Sequence, residues 1–124
     1  VVEDNPVNQR ILSALLSREG SSVETADNGE MGLRAVGAAS FDLIFMDCQM
    51  PVMDGFECTR RIRMSERGTG VHRTIIATTA NAMSSDREDC FAAGMDDYLA
   101  KPIARKALLA VIAKLRTEGL AKAA

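Results

Sequence analysis

The chain has 124 residues, the size of one domain, and its 47% hydrophobic and 26% charged residues give a globular rather than disordered composition. A formal charge of −2 with one Tyr, four Phe and no Trp offers neither a basic patch nor a stacking platform, so no direct nucleic-acid binding is expected. No apolar run approaches the roughly 20 residues that span a bilayer, so no membrane contact by this segment is expected, and Cys48, Cys58 and Cys90, odd in number and without C-x-x-C spacing, read as small hydrophobes in a reducing, cytoplasmic compartment.

Val1-Val2 reads as the end of a first strand, and a chain that opens inside a strand without Met is expected either to have been cut from a longer protein, the preferred reading, or to lack its first residues. Asn5 is a cap and Pro6 the first residue of a helix. Val7, Ile11, Leu12, Leu15 and Leu16 fall at helical spacing, and Gly20 ends it. Val23 to Ala26 reads as a second strand, followed by a helix from about Asn28 to Ala39 that Gly32 and Gly37 weaken.

Leu43-Ile44-Phe45-Met46 is a continuous apolar run suited to a strand buried on both faces. Asp54 caps the next helix, and Glu57, three residues on, completes a capping box. A strand from Thr74 to Thr78 leads to a polar helix from about Ser84, where Ser85 and Glu88 repeat that spacing. Tyr98-Leu99-Ala100 makes a fifth strand. The last helix starts near Ala104 and carries Leu108, Val111, Ile112 and Leu115 on one face. Strands alternating with helices predict an α/β fold, a parallel sheet covered on both faces. Residues 1–117 form the domain and 118–124 a tail or linker.

All strands of such a sheet end on one edge, where ligands bind. Polar residues stand at four of these ends: Glu3 and Asp4, then Asp47, then Thr78 and Thr79, then Lys101. Core packing asks for none of them. Two like charges about 4 Å apart repel by roughly 4 kcal/mol at an effective dielectric near 20, so a cluster of three carboxylates needs protonation, a cation or a metal. Lys101 can neutralise one charge. Oxygen donors without His or Cys favour a hard cation, with Mg²⁺ suited to a site that phosphate and water complete and Mn²⁺ as the alternative.

Over essentially its whole length the sequence resembles the receiver domains of two-component signalling. The resemblance rests on Val1-Val2-Glu3-Asp4-Asn5, on Met46-Asp47-Cys48-Gln49-Met50-Pro51-Val52-Met53-Asp54-Gly55, on Ala77-Thr78-Thr79-Ala80-Asn81-Ala82, and on Gly94-Met95-Asp96-Asp97-Tyr98-Leu99-Ala100-Lys101-Pro102-Ile103. It implies a flavodoxin-like doubly wound fold, five parallel strands in the order 2-1-3-4-5 with helices on both faces. It makes Asp47 the phosphoacceptor, with Asp4, Asp47, Glu3 (directly or through water) and the Gln49 backbone carbonyl holding Mg²⁺. Glu3 stands where Asp is commoner in the family.

The resemblance also makes Thr79 the switch hydroxyl, Lys101 the partner of a phosphoryl oxygen and Tyr98 the switch aromatic. The N–H groups of Cys48 and Ala80 would cradle the phosphoryl group, and Gln49 and Asn81 would tune its hydrolysis. The Lys101-Pro102 bond is expected to be cis. The domain would catalyse its own phosphorylation and dephosphorylation. Its implied partners are the phosphohistidine domain of a histidine kinase and a histidine phosphotransfer domain, and the Glu-Asp-Asn, Thr-Ala-Asn-Ala and Gly-Met-Asp-Asp-Tyr-Leu runs look most like receivers of hybrid sensor kinases.

A stand-alone response regulator acting on an effector is the alternative setting. A Mg²⁺-dependent hydrolase with an aspartyl nucleophile would want a second acid where Gln49 stands, and a nucleotide- or flavin-binding module would want glycines where Glu3-Asp4-Asn5-Pro6 stands. His72 is expected to be a solvated loop histidine, the seven Met residues core filler, and Arg60, Arg61 and Arg63 a solvated helix face.

Overall fold

The computed structural model describes residues 1–39, 41, 43–50, 52–80 and 84–123, with side chains outside 84–86 and 115–123. Its elements are α1 (Pro6–Arg18), α2 (Gly29–Ala38), β1 (Leu43–Asp47), α3 (Gly55–Glu66), β2 (Thr74–Thr79), α4 (Ser84–Ala93), β3 (Asp97–Ala100) and α5 (Arg105–Ala123). β1, β2 and β3 form a parallel sheet in that order, with Asp47 opposite Thr78 and Thr79 opposite Ala100. The two expected leading strands are reduced to single parallel bridges, in which Val2 pairs with Ala26 on one side and Met46 on the other. Val1-Val2 offers too few residues for a ladder, and the pairing consists of Val2 N–H to Phe45 O at 2.8 Å, Asp47 N–H to Val2 O at 2.9 Å, Glu3 N–H to Ala26 O at 3.0 Å and Ala26 N–H to Val1 O at 2.8 Å.

Side chains alternate across a strand, and the apolar runs feed two cores. Ile44, Met46, Ile75 and Ala77 join Val36, Cys58, Ile62 and Cys90 on the face of α2, α3 and α4. Phe45, Ile76 and Leu99 join Leu12, Leu16, Leu108 and Ile112 on the face of α1 and α5. The three cysteines are buried and form no disulfide among the described residues. Met46 and Met95 fill the core as expected, whereas Met31 and Met64 are exposed.

Helix ends follow local chemistry. Asn5 Oδ1 accepts from the Val7 and Asn8 N–H groups at 2.9 and 3.2 Å, with Pro6 at the first position. Gly20, at φ +85°, closes α1 with the paired bonds Ser21 N–H to Leu16 O and Gly20 N–H to Ser17 O. Asp54 caps α3 through the Glu57 N–H at 2.8 Å. The reciprocal half of the expected capping box is not formed, because the Glu57 carboxylate turns to Arg60 and Arg61 at 3.2 and 3.0 Å. The Ser85 and Leu115 side chains, on which two other expectations rest, lie outside the described residues.

Arg63 does not belong to the solvated face. Its guanidinium donates to Gly94 O, Arg73 O, Glu66 Oε1 and Asp96 Oδ2 at 2.7–2.9 Å. Asp96 also accepts from the Ile75 N–H at 2.8 Å and lies 2.7 Å from His72 Nε2. His72 is exposed, but it has an acidic partner that sequence proximity did not offer. This network ties the 66–73 connection to the edge of the sheet opposite the acid cluster.

Candidate functional site

Val2 lies beside Met46, which places Glu3 and Asp4 next to Asp47 at the C-terminal ends of neighbouring strand segments. One carboxylate oxygen from each of Glu3, Asp4 and Asp47 lies within 4.8 Å of the others. Glu3 and Asp47 are buried and Asp4 is exposed at the rim. The next strand end brings Thr79 to the same edge, and the one after brings Lys101, whose N–H donates to Thr79 O at 2.7 Å. Lys101 Nζ sits 2.7 Å from Glu3 Oε1 and 2.9 Å from Asp47 Oδ1. The Lys101–Pro102 bond is cis.

Glu3 Oε2 accepts from the Asn5 N–H at 3.1 Å, and Asp47 Oδ1 accepts from the Gln49 N–H at 3.3 Å. The Cys48 N–H, expected in the phosphoryl cradle, instead donates to Thr78 O at 3.1 Å. The sheet register consumes it, and Gln49 presents the amide that faces Asp47. Ala80 and Gln49 line the cleft with Thr79. Asn81 lies outside the described residues.

One ammonium cannot balance three carboxylates, and burial adds to the cost of ionising them. Burial, and then the adjoining Glu3, push the Asp47 carboxyl up to about 7. Burial works on Glu3 in the same sense, but hydrogen bonds with Asp47, Lys101, Asn5 and Asp4 outweigh it and hold Glu3 below the usual range. Burial would lower Lys101, yet its bonds to Glu3 and Asp47 raise it. An all-oxygen cluster with uncompensated negative charge fits a hard divalent cation.

Gly55 was not singled out by sequence reasoning. A Cβ there would overlap the Asp47 carbonyl oxygen and stand 3.0 Å from Cys48 Cα, so α3 starts against the backbone of the central carboxylate. Tyr98 is half-buried, with the Arg87 guanidinium carbon 4.9 Å from its ring centroid and Phe91 edge-on at 6.5 Å. No helix among the described residues is long and apolar enough to cross a membrane.

The model of the response regulator receiver domain matches residues 1–113. The hybrid signal transduction histidine kinase L of Dictyostelium discoideum is 42% identical over 123 residues, which cover 96% of this chain and 7% of that protein. The chain thus spans less than a tenth of that curated relative. The receiver domain of sensor histidine kinase PA1611 from Pseudomonas aeruginosa, solved with a magnesium ion in its active site cleft, is 46% identical with a TM-score of 0.81 over 92% of each chain. A chain of the Saccharomyces cerevisiae complex between the histidine phosphotransfer protein Ypd1 and the Ssk1 receiver domain is 35% identical, with a TM-score of 0.82 over 86% of this chain and 79% of that one. The helix-covered parallel sheet is the flavodoxin-like receiver fold, and the chain belongs to the response regulator receiver domain family of two-component phosphorelay.

Proposed function

We propose that Asp47 accepts a phosphoryl group from a phosphohistidine, and that the chain passes it to a histidine phosphotransfer domain or converts it into a conformational change. The observation that carries this reading is the position of Asp47: a buried carboxylate at a strand end, 2.9 Å from the Lys101 ammonium and clustered with Glu3 and Asp4. An Asp47 oxygen attacks phosphorus in line as the P–N bond to imidazole breaks, and the freed nitrogen takes up a proton. Little other covalent chemistry is required, so positioning and charge neutralisation dominate.

Glu3, Asp4, Asp47 and the Gln49 carbonyl would hold Mg²⁺, which when bound supplies positive charge against the phosphoryl oxygens. Lys101 would turn from the carboxylates to one of those oxygens, and the Ala80 and Gln49 N–H groups would take others. The Thr79 hydroxyl would gain a charge-assisted bond worth roughly 1.5–3 kcal/mol, enough to shift an equilibrium separated by a few kcal/mol. Tyr98, on the neighbouring strand opposite Ala77, would change its packing against Arg87 and Phe91. Gln49 and Asn81 would set the lifetime of the acyl phosphate.

The finer features of the fold belong to the same reading. The bridges at Val2 and Ala26 support a five-strand order 2-1-3-4-5, with a domain ending near residue 117 and a tail beyond. Exposed Val7 and Ile11 on α1, with Ile11 beside the Pro102–Ile103 turn, suit an apolar partner such as a phosphotransfer helix bundle. A hybrid sensor kinase with this segment in the cytoplasm is the setting that the kinase relatives and the three buried, unoxidised cysteines support.

Transfer from a radiolabelled phosphohistidine domain tests the proposal. Label should move to this chain in the presence of Mg²⁺ and not to Asp47→Asn. Equal labelling of the two would refute it.

A further inference from the structure

Gln9 closes the first turn of α1, half-buried, with its amide turned toward the strand ends. Its Nε2 lies 3.1 Å from Glu3 O, 3.3 Å from Ala26 O and 3.1 Å from Asp27 Oδ1. Two N–H bonds therefore serve three oxygens, one bond being shared. Glu3 O and Ala26 O are carbonyls of adjacent strand segments, and Ala26 O also accepts from the Glu3 N–H at 3.0 Å.

The Glu3 side chain is already fixed by Lys101 and by the Asn5 N–H. The Glu3–Asp4 peptide, which sets where the Asp4 carboxylate projects, is held through Glu3 O by Gln9. The same amide engages Asp27, an exposed acid one residue beyond the Ala26 bridge. A cation here would hold these oxygens equally well but would reduce the negative field of the acid cluster. A neutral amide holds them and leaves that field intact.

We infer that Gln9 is a positioning residue for the cation site, fixing the backbone that spaces Asp4 against Glu3 and Asp47. The inference rests on the proposed Mg²⁺ site. Groups that orient metal ligands from outside the coordination sphere typically change affinity 10–100-fold when removed. Gln9→Met keeps the length of the side chain and removes its donors. Gln9→Asn keeps the amide on a shorter arm that cannot span three oxygens, and so tests the same point should Gln9→Met fold poorly.

The test is a calorimetric Mg²⁺ titration at 25 °C, paired with the thermal midpoint of each variant. Leu12→Val, which loosens the same helix from its core and leaves the Gln9 amide and its three acceptors in place, is the control. Mg²⁺ affinity should fall about 10-fold in Gln9→Met, with a loss in the same sense in Gln9→Asn, while Leu12→Val lowers the midpoint and leaves affinity unchanged. Gln9 variants that bind Mg²⁺ within twofold of wild type, or that weaken it no more than Leu12→Val, would overturn the inference and leave the metal site standing. A wild-type chain that binds no Mg²⁺ would overturn the metal site itself.

Discussion

Glu3 and Asp47 accept from the same Lys101 ammonium, at 2.7 and 2.9 Å, yet their carboxyls are displaced in opposite directions. Burial raises both. The hydrogen bonds then keep Glu3 ionised and leave the proton on Asp47, which holds it up to a pH of about 7. Below about pH 7 the proposed nucleophile is thus mostly protonated.

A cation that binds here must expel that proton. Apparent Mg²⁺ affinity should rise as pH climbs through about 7 and fall about tenfold per unit below it. Calorimetry in buffers of different ionisation enthalpy should find close to one proton released per Mg²⁺ at pH 6 and few at pH 8. An affinity that is flat over this range would show that Asp47 is not a ligand.

The same shift fixes the sign of a stability effect. Asp47 titrates above its ordinary value of 3.8, so between about 4 and 7 the folded chain binds more protons than the unfolded one. The stability that this carboxyl contributes is present below that window and is lost as pH rises through it. Asn cannot ionise. In the absence of divalent cations, Asp47→Asn should raise the thermal midpoint at pH 8 by roughly 4 °C or more, about 1 kcal/mol, with the advantage shrinking toward pH 4. Scans at the two pH values check this.

Gly55→Ala should couple fold and site. The added Cβ would overlap the Asp47 carbonyl, and relieving an overpacked contact by backbone movement costs about 1–3 kcal/mol. Urea unfolding should detect that loss. Phosphorylation by a small-molecule donor should slow as well, because the displaced backbone carries the acceptor.

Arg63 offers a contrast far from the acid cluster. Its side chain is 17% exposed and pairs with Glu66 and Asp96 while bonding two carbonyls. Arg63→Ala should cost about 3 kcal/mol by leaving buried acceptors short of donors. At temperatures well below the midpoint, Mg²⁺ affinity should stay unchanged.

What could be read from the sequence, and what could not, divides along contact range. The runs Leu43–Met46 and Thr74–Thr78 disclose central strands because burial on both faces leaves a continuous apolar signature. Asn5 and Asp54 disclose helix starts because a cap acts within three residues. The acids at Glu3, Asp4 and Asp47 can be placed together once a parallel sheet is accepted. Arg63 reads as one more exposed arginine, since its partners Gly94 and Asp96 lie more than 30 residues away. His72 reads as solvated for the same reason. Gln9 carries no spacing signal, because it bonds backbone carbonyls that any residue provides. The Cys48 N–H is assigned differently because the register of β1 and β2, and not residue type, determines where it points.

The most direct measurement is intact mass after incubation with acetyl phosphate. With Mg²⁺, wild type should gain a single phosphoryl group, lose it on standing or at alkaline pH as an acyl phosphate does, and gain none when Mg²⁺ is chelated. Asp47→Asn should gain none under any of these conditions. Equal incorporation into both chains, or incorporation indifferent to Mg²⁺, would contradict the assignment of Asp47 as the acceptor in a cation-dependent site.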